Sequence, residues 1–328
     1  MFDEIRKNWK PSLFLILAIP FLTELLSGNM TVISIFTPIN FLSLVVIGYG
    51  LPILAIRELA IRWNVGYFGI FIMGLAYGIF NEGILAKTLL LSNNVPISGF
   101  NNYIYYFGIN FSWAPTIMVW HALHSVLFPI LLTYFFFPNY ASCPWLSKKT
   151  VFIMLIPVAI LGLMGFFDKN ALGIVGTLPH LIVFIVVMSA IFYLARMFKK
   201  EPENIPNNSF IKLTVTGFLF LIFVLIIPSI FADNKILPQI FFSYFFVMLL
   251  FFFFILRNTR SNYHSLLFTG LGLYIASAIF ALIMRATLGN IPEVIAEIIL
   301  IIIFSILIFK NKKKVLIIQS EKGKIYKL

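Results

Sequence analysis

The chain has 328 residues, 61% of them hydrophobic and 11% charged, with a mean hydropathy of +1.00. Soluble domains carry about 25% charged residues, so a water-soluble globule is excluded, and the net charge of +12 is accompanied by no nucleic-acid-binding motif. A single cysteine, Cys143, excludes an intramolecular disulfide and any multi-cysteine zinc or iron–sulfur site.

Apolar runs bounded by Gly, Pro, Asn and charge clusters predict ten membrane-spanning helices, near residues 11–28, 38–56, 66–91, 112–136, 150–167, 172–196, 210–231, 236–256, 264–285 and 291–309. Membrane β-strands need only about ten residues of alternating polarity, and these runs are longer and continuously apolar. The expected fold is therefore an all-α polytopic integral membrane protein. The basic start and short apolar run Leu13–Leu22 resemble a signal peptide, but no small-residue cleavage site follows and Glu24 stands where one belongs, so an uncleaved helix is expected.

The ten-helix division sorts the basic residues. Arg6, Lys7 and Lys10, then Arg57 and Arg62, then Lys148 and Lys149, then the cluster from Arg196 to Lys212, then Arg257 and Arg260, and finally the tail from Lys310 onward fall on one side. They make up 20 of the 24 Lys and Arg; Lys87, Lys169, Lys235 and Arg285 fall on the other. Lys and Arg concentrate in cytoplasmic loops, which predicts both termini inside and a cell-membrane location. The chain reads as a first helix group over 1–198 carrying the candidate polar site, a cytoplasmic hinge over 199–209, a second group over 210–310 and a basic tail over 311–328. The aromatic segment Gly99–Trp113 reads as an interfacial helix or re-entrant loop, with Tyr103, Tyr105, Tyr106 and Trp113 at head-group level.

Ionisable residues inside spans cost several kcal/mol and mark sites or paired contacts. Counted at ~1.5 Å per residue, Glu82, His121, His124 and His180 fall at roughly 12 to 18 Å from the outer boundary, a shared layer. Gly74, Gly78 and Glu82 follow at i+4 spacing, placing Glu82 on a face that small residues let a neighbouring helix approach. His121 and His124 share a face, and Pro129 bends their helix. Glu58 with Arg62, and Glu293 and Glu297 near Arg285, read as structural pairs, while Glu24 is placed to extend an outward-facing polar cavity.

Asn81-Glu82-Gly83-Ile84-Leu85-Ala86-Lys87, then Trp120-His121-Ala122-Leu123-His124, then His180 resemble the order of motifs in the CPBP family of CAAX-prenyl-protease and bacteriocin-processing membrane enzymes. The family pattern is EExxxR, FxxxH and HxxxN or HxxxD. The resemblance implies Glu82 as general base for water, His124 as the second-motif histidine and His180 as the third. Asn81 replaces the first glutamate, Lys87 lies five positions after Glu82, and Phe184 holds the Asn or Asp position. Glu82, His121 and His124 also have metal-ligand character, without the H-E-x-x-H arrangement; no cofactor motif is found. The candidate catalytic set is thus Glu82, His124, His121 and His180. Two functions compete: an intramembrane peptidase acting on a membrane-embedded peptide, and a secondary transporter of a small molecule that uses the same buried residues. A membrane protein without activity is the third reading, and the lipid bilayer is the expected partner of all three.

Overall fold

The computed structural model describes residues 2–27, 30–168, 176–200, 210–258, 263–287 and 289–325. In lipid every backbone polar group must be satisfied within its own segment, and the apolar runs accordingly form helices. These are α1 (Phe2–Pro20, continued by Phe21–Leu25), α2 (Pro38–Arg62), α3 (Tyr67–Leu85), α4 (Trp113–Phe136), α5 (Lys148–Phe167) and α6 (Leu178–Ala195). There follow α7 (Phe210–Leu221, continued to Asp233), α8 (Pro238–Asn258), α9 (Tyr263–Thr287) and α10 (Ile291–Ile325). Among the described residues nine helices, α2 to α10, are long and apolar enough to cross a membrane. The fold class is all-α and polytopic as expected, and α1 is the one expected span that is not among the nine. In α1 the apolar stretch is framed by Lys10 and Glu24 and contains Pro11 and Pro20. It still packs into the bundle, with Leu15, Ile19 and Leu22 fully buried. Residues 201–209, most of the expected hinge, lie outside the described residues, as do Lys169, Arg260 and the last three residues.

The bundle is built around α3 and α4. Their spans are 83% and 94% buried, against 17% for α6 and α10, whose Ile, Val and Leu side chains face outward. The reason is local. A Cβ added at Gly74 would lie 2.6 Å from the Cα of Ala122, and one at Gly78 would lie 2.7 Å from the Cα of Met118, so the two helices touch backbone to backbone, as small residues at i+4 spacing permit.

Five segments widen from α to π geometry: Phe21–Leu25, Phe41–Gly50, Phe80–Leu85, His121–Leu127 and Ile222–Ile226. Three of them run into a proline at the start of the next turn, Pro52, Pro129 and Pro228. Proline withholds an N–H and its ring clashes with the carbonyl four residues back. A wider turn relieves both, and the amide of Phe128 accordingly bonds the carbonyl of Leu123, five residues back.

At the basic end, the loop before α5 is fastened to α2. Buried Arg57 bonds Glu58 at 2.6 Å and the carbonyls of Tyr140 and Cys143 at 2.8 Å each, and its guanidinium lies 3.6 Å from the Trp145 ring centroid. Glu58 in turn accepts from the Trp145 amide at 2.8 Å and pairs with Arg62 at 3.5 Å. Lys199 donates to the Trp63 carbonyl at 3.0 Å, bringing the end of α6 to the same face.

At the opposite end, residues 88–112 form two single 3-10 turns and a two-residue hairpin pairing Tyr105–Tyr106 with Ile109–Asn110. Of the two expectations for this segment, the interfacial helix does not form. Tyr103 and Trp113 turn inward to 4% and 3% exposure, because Tyr103 donates to the carbonyl of Ile236 at 2.7 Å and Trp113 to Thr88 at 2.9 Å.

Breaking a buried ion pair from one side costs about 3–5 kcal/mol. Arg57→Ala is therefore expected to destabilise the protein by roughly that amount in a detergent unfolding titration, whereas Cys143→Ser, which keeps the carbonyl that Arg57 uses, is expected to unfold with the wild type. Equal stability of Arg57→Ala and wild type contradicts the fastening.

Candidate functional site

The π segments put polar side chains around one cavity. It has a volume of about 630 Å³, and each of the five contributes to its lining: Glu24, Tyr49, Glu82, His121 and Leu225 stand for them in chain order. Pro96 and Ile97 from the connection after α3, and Ser27 and Met30 from the end of α1, line it as well. The cavity therefore lies at the end away from the Arg57 cluster. Between the two, α2 to α4 pack solidly through Ile53, Phe71, Met73, Leu127 and Ile130, all buried. A π turn adds one residue to each turn and re-aims the remainder of its helix, and such turns recur at functional sites.

Glu82 and His121 meet across α3 and α4, with His121 Nε2 2.8 Å from Glu82 Oε1. Their side chains are 12% and 5% exposed. When Glu82 is ionised it only accepts and Nε2 carries the proton of this bond; the other ring nitrogen, Nδ1, lies 2.9 Å from the Ser125 hydroxyl. The second oxygen of Glu82 accepts from Thr88, whose own oxygen accepts from the Trp113 indole at 2.9 Å. On the same nitrogen, Nε2, the Asn81 amide nitrogen approaches at 3.4 Å, and it donates to the Tyr49 hydroxyl at 3.0 Å while Tyr49 donates to Glu24. Tyr77 packs beside His121, its ring 5.7 Å from that of the histidine and its hydroxyl on the carbonyl of Gly48 at 3.0 Å. One continuous row of polar groups thus runs from Glu24 to Trp113.

The other two predicted residues stand apart from this row. His124, one turn along α4, stacks on Trp120 at 4.3 Å and bonds Ser277 of α9 at 3.2 Å, while its carbonyl accepts from Tyr274 at 2.8 Å. It faces α9 rather than Glu82. His180 sits in the first turn of α6, which begins at Leu178 and not at 172. Its Nε2 donates to the carbonyl of Phe107 at 2.9 Å and its Nδ1 accepts from Thr177 at 2.8 Å, so it ties α6 to the hairpin turn at the bundle's end. Lys87 adopts φ 58°, which ends α3, and its amine donates to the carbonyl of Asp168. Burial holds the Lys87 amine below the usual lysine range, with the Asp168 charge acting in the other direction. Among the described residues no three His, Cys, Asp or Glu side chains gather closely enough to hold a metal ion.

Glu24, Tyr49, Thr88 and Ser125 join the site without having been in the candidate set. Glu24 carried a signal, an ionisable group late in an apolar run; Tyr49, Thr88 and Ser125 carried none, since such residues are common in membrane helices. Ser125, His121 and Glu82 stand in the order of a nucleophile, a base and an orienting acid, but Ser125 is fully buried. The member of the row with most access to the cavity is Glu82.

The charges do not balance. Glu24 and Glu82 bring two carboxylates and His121 at most one positive charge. Arg285 also lines the cavity, but it is held by Glu297 at 2.7 Å, with Glu293 at 3.9 Å.

A family model described as an uncharacterized membrane protein family matches residues 13–311. No curated protein and no solved structure matches the chain. The match corrects the resemblance to the CPBP family, and the geometry agrees with the correction: a site of that kind needs the glutamate and both later histidines together, and here His124 and His180 point elsewhere.

Thr88→Val removes both the donor to Glu82 and the acceptor of Trp113, and each buried group left unpaired costs about 1–3 kcal/mol. Thr88→Val is expected to lower thermal stability and to shift the tryptophan emission, with Thr88→Ser restoring both. A Thr88→Val protein that matches wild type in both measurements contradicts the row as drawn.

Proposed function

The chain belongs to that membrane protein family, and from this premise we propose that it is a proton-coupled secondary transporter of the cell membrane, with the Glu82–His121 pair as its coupling site. With basic loops inside, the cavity lies toward the outer face and the Arg57–Glu58 cluster toward the cytoplasmic face. The observation that carries the reading is the unmatched carboxylate. Two carboxyl groups that share one imidazole hold one positive charge fewer than they could, and intramembrane acids that face a cavity are the usual elements of proton and cation pathways. Two carboxylates against one imidazole leave a place that either a proton or a cation fills, and a group that accepts both in turn couples their movements. Tyr49 and Asn81 stand between Glu24 and the pair, hydrogen-bonded to Glu24 at one end and in contact with His121 at the other. A hydrolytic role is less well served, because the hydroxyl next to His121 is sealed and both Glu82 oxygens are engaged.

The test is a proton-concentration jump on proteoliposomes adsorbed to a capacitive sensor. Wild type is expected to give a protein-dependent charge displacement as protons enter the cavity, and Glu82→Gln, which keeps the shape and the Thr88 bond, is expected to lose most of it. Equal transients from both proteins overturn the coupling role of Glu82.

A further inference from the structure

The lining of the cavity mixes two chemistries, and the mixture selects a class of cargo. The lining combines Glu24 and Glu82 and the indoles of Trp113 and Trp120 with an apolar group, Leu221 and Leu225 from α7 and Phe280 and Ala281 from α9, next to which α9 also brings Ser277 and Arg285. Among the described residues Arg285 is the one lysine or arginine in the lining, and Glu297 and Glu293 already occupy it. Glu24 and Glu82 are the two carboxylates of the lining, and with Arg285 already paired to Glu297 and Glu293 no guanidinium is left to receive an anion. Indole faces attract cations. The volume of about 630 Å³ lies within the ~300–1,000 Å³ typical of small-molecule sites.

We propose that the cargo is an amphipathic organic monocation, an amine or a quaternary ammonium or phosphonium ion. Its charge rests at Glu82 beside Trp113, and its apolar body lies on the α7 and α9 wall. This rests on the transporter reading above. The exchange balances in charge: one organic cation enters the carboxylate site as one proton leaves it for the bulk, with no covalent bond made or broken in the cargo.

Tetraphenylphosphonium and tetraphenylborate have the same shape and opposite charge, and they are the probes. Binding to the full chain in detergent is followed by tryptophan fluorescence and by calorimetry. The phosphonium is expected to bind saturably, to bind more weakly in acid, and to lose on the order of tenfold in affinity, about 1.4 kcal/mol, in Glu82→Gln, while the borate shows no saturable binding. Equal binding of the two ions, or phosphonium binding indifferent to acid, overturns the proposal, and both comparisons are made on wild type, so they hold even if a variant fails to fold. Absent phosphonium binding with an intact proton-jump transient defeats the organic cation alone; absence of the transient as well defeats the transporter reading with it.

Discussion

The contact on which the site depends is the 2.8 Å hydrogen bond between Glu82 and His121 in the middle of an apolar bundle. Such a bond survives in lipid only if the helices carrying it are held at fixed separation and its remaining lone pairs are satisfied. The first condition is met by Gly74 and Gly78 against Ala122 and Met118, which draw α3 and α4 to backbone contact. The second is met by Thr88 on the outer oxygen of Glu82 and Ser125 on the second nitrogen of His121. Most of the helix–helix contact that buries α3 and α4 can be seen as the support for this one polar pair.

The widened turns are the other half of the design. Each π segment supplies lining to the same cavity, and three of the five are set off by a following proline. A straight α-helix would carry Glu82 or His121 onward at a constant angle, whereas an extra residue per turn rotates the remainder of the helix and leaves room beside it. The cavity is thus a product of backbone geometry before it is a product of side-chain choice. At the other end α2 keeps regular α geometry through Arg57 and Glu58, and these two residues fasten the loop before α5.

Much of this was legible in the sequence. The helical class, the burial of the Gly74–Gly78–Glu82 face and the kink before Pro129 follow from run length, spacing and the missing proline N–H. Depth counting brought Glu82 and His121 to one layer correctly, but it also placed His180 there, because it took the apolar run to be helical from 172 when α6 begins at Leu178. His124 was misdirected for a different reason. The i, i+3 rule puts it beside His121 on an α-helix, and the π turn His121–Leu127 rotates it toward Ser277 instead. Tyr49, Thr88 and Ser125 were invisible because their role arises from partners on other helices, which no local pattern encodes.

If Glu82 exchanges a proton inside the bundle, infrared difference spectroscopy of the membrane-embedded protein between acidic and alkaline buffer reads that exchange directly. The wild type is then expected to show a carboxylic-acid C=O stretching band that is gone in Glu82→Gln and displaced in His121→Ala. A spectrum in which that region is the same in wild type and Glu82→Gln would contradict proton exchange at this residue.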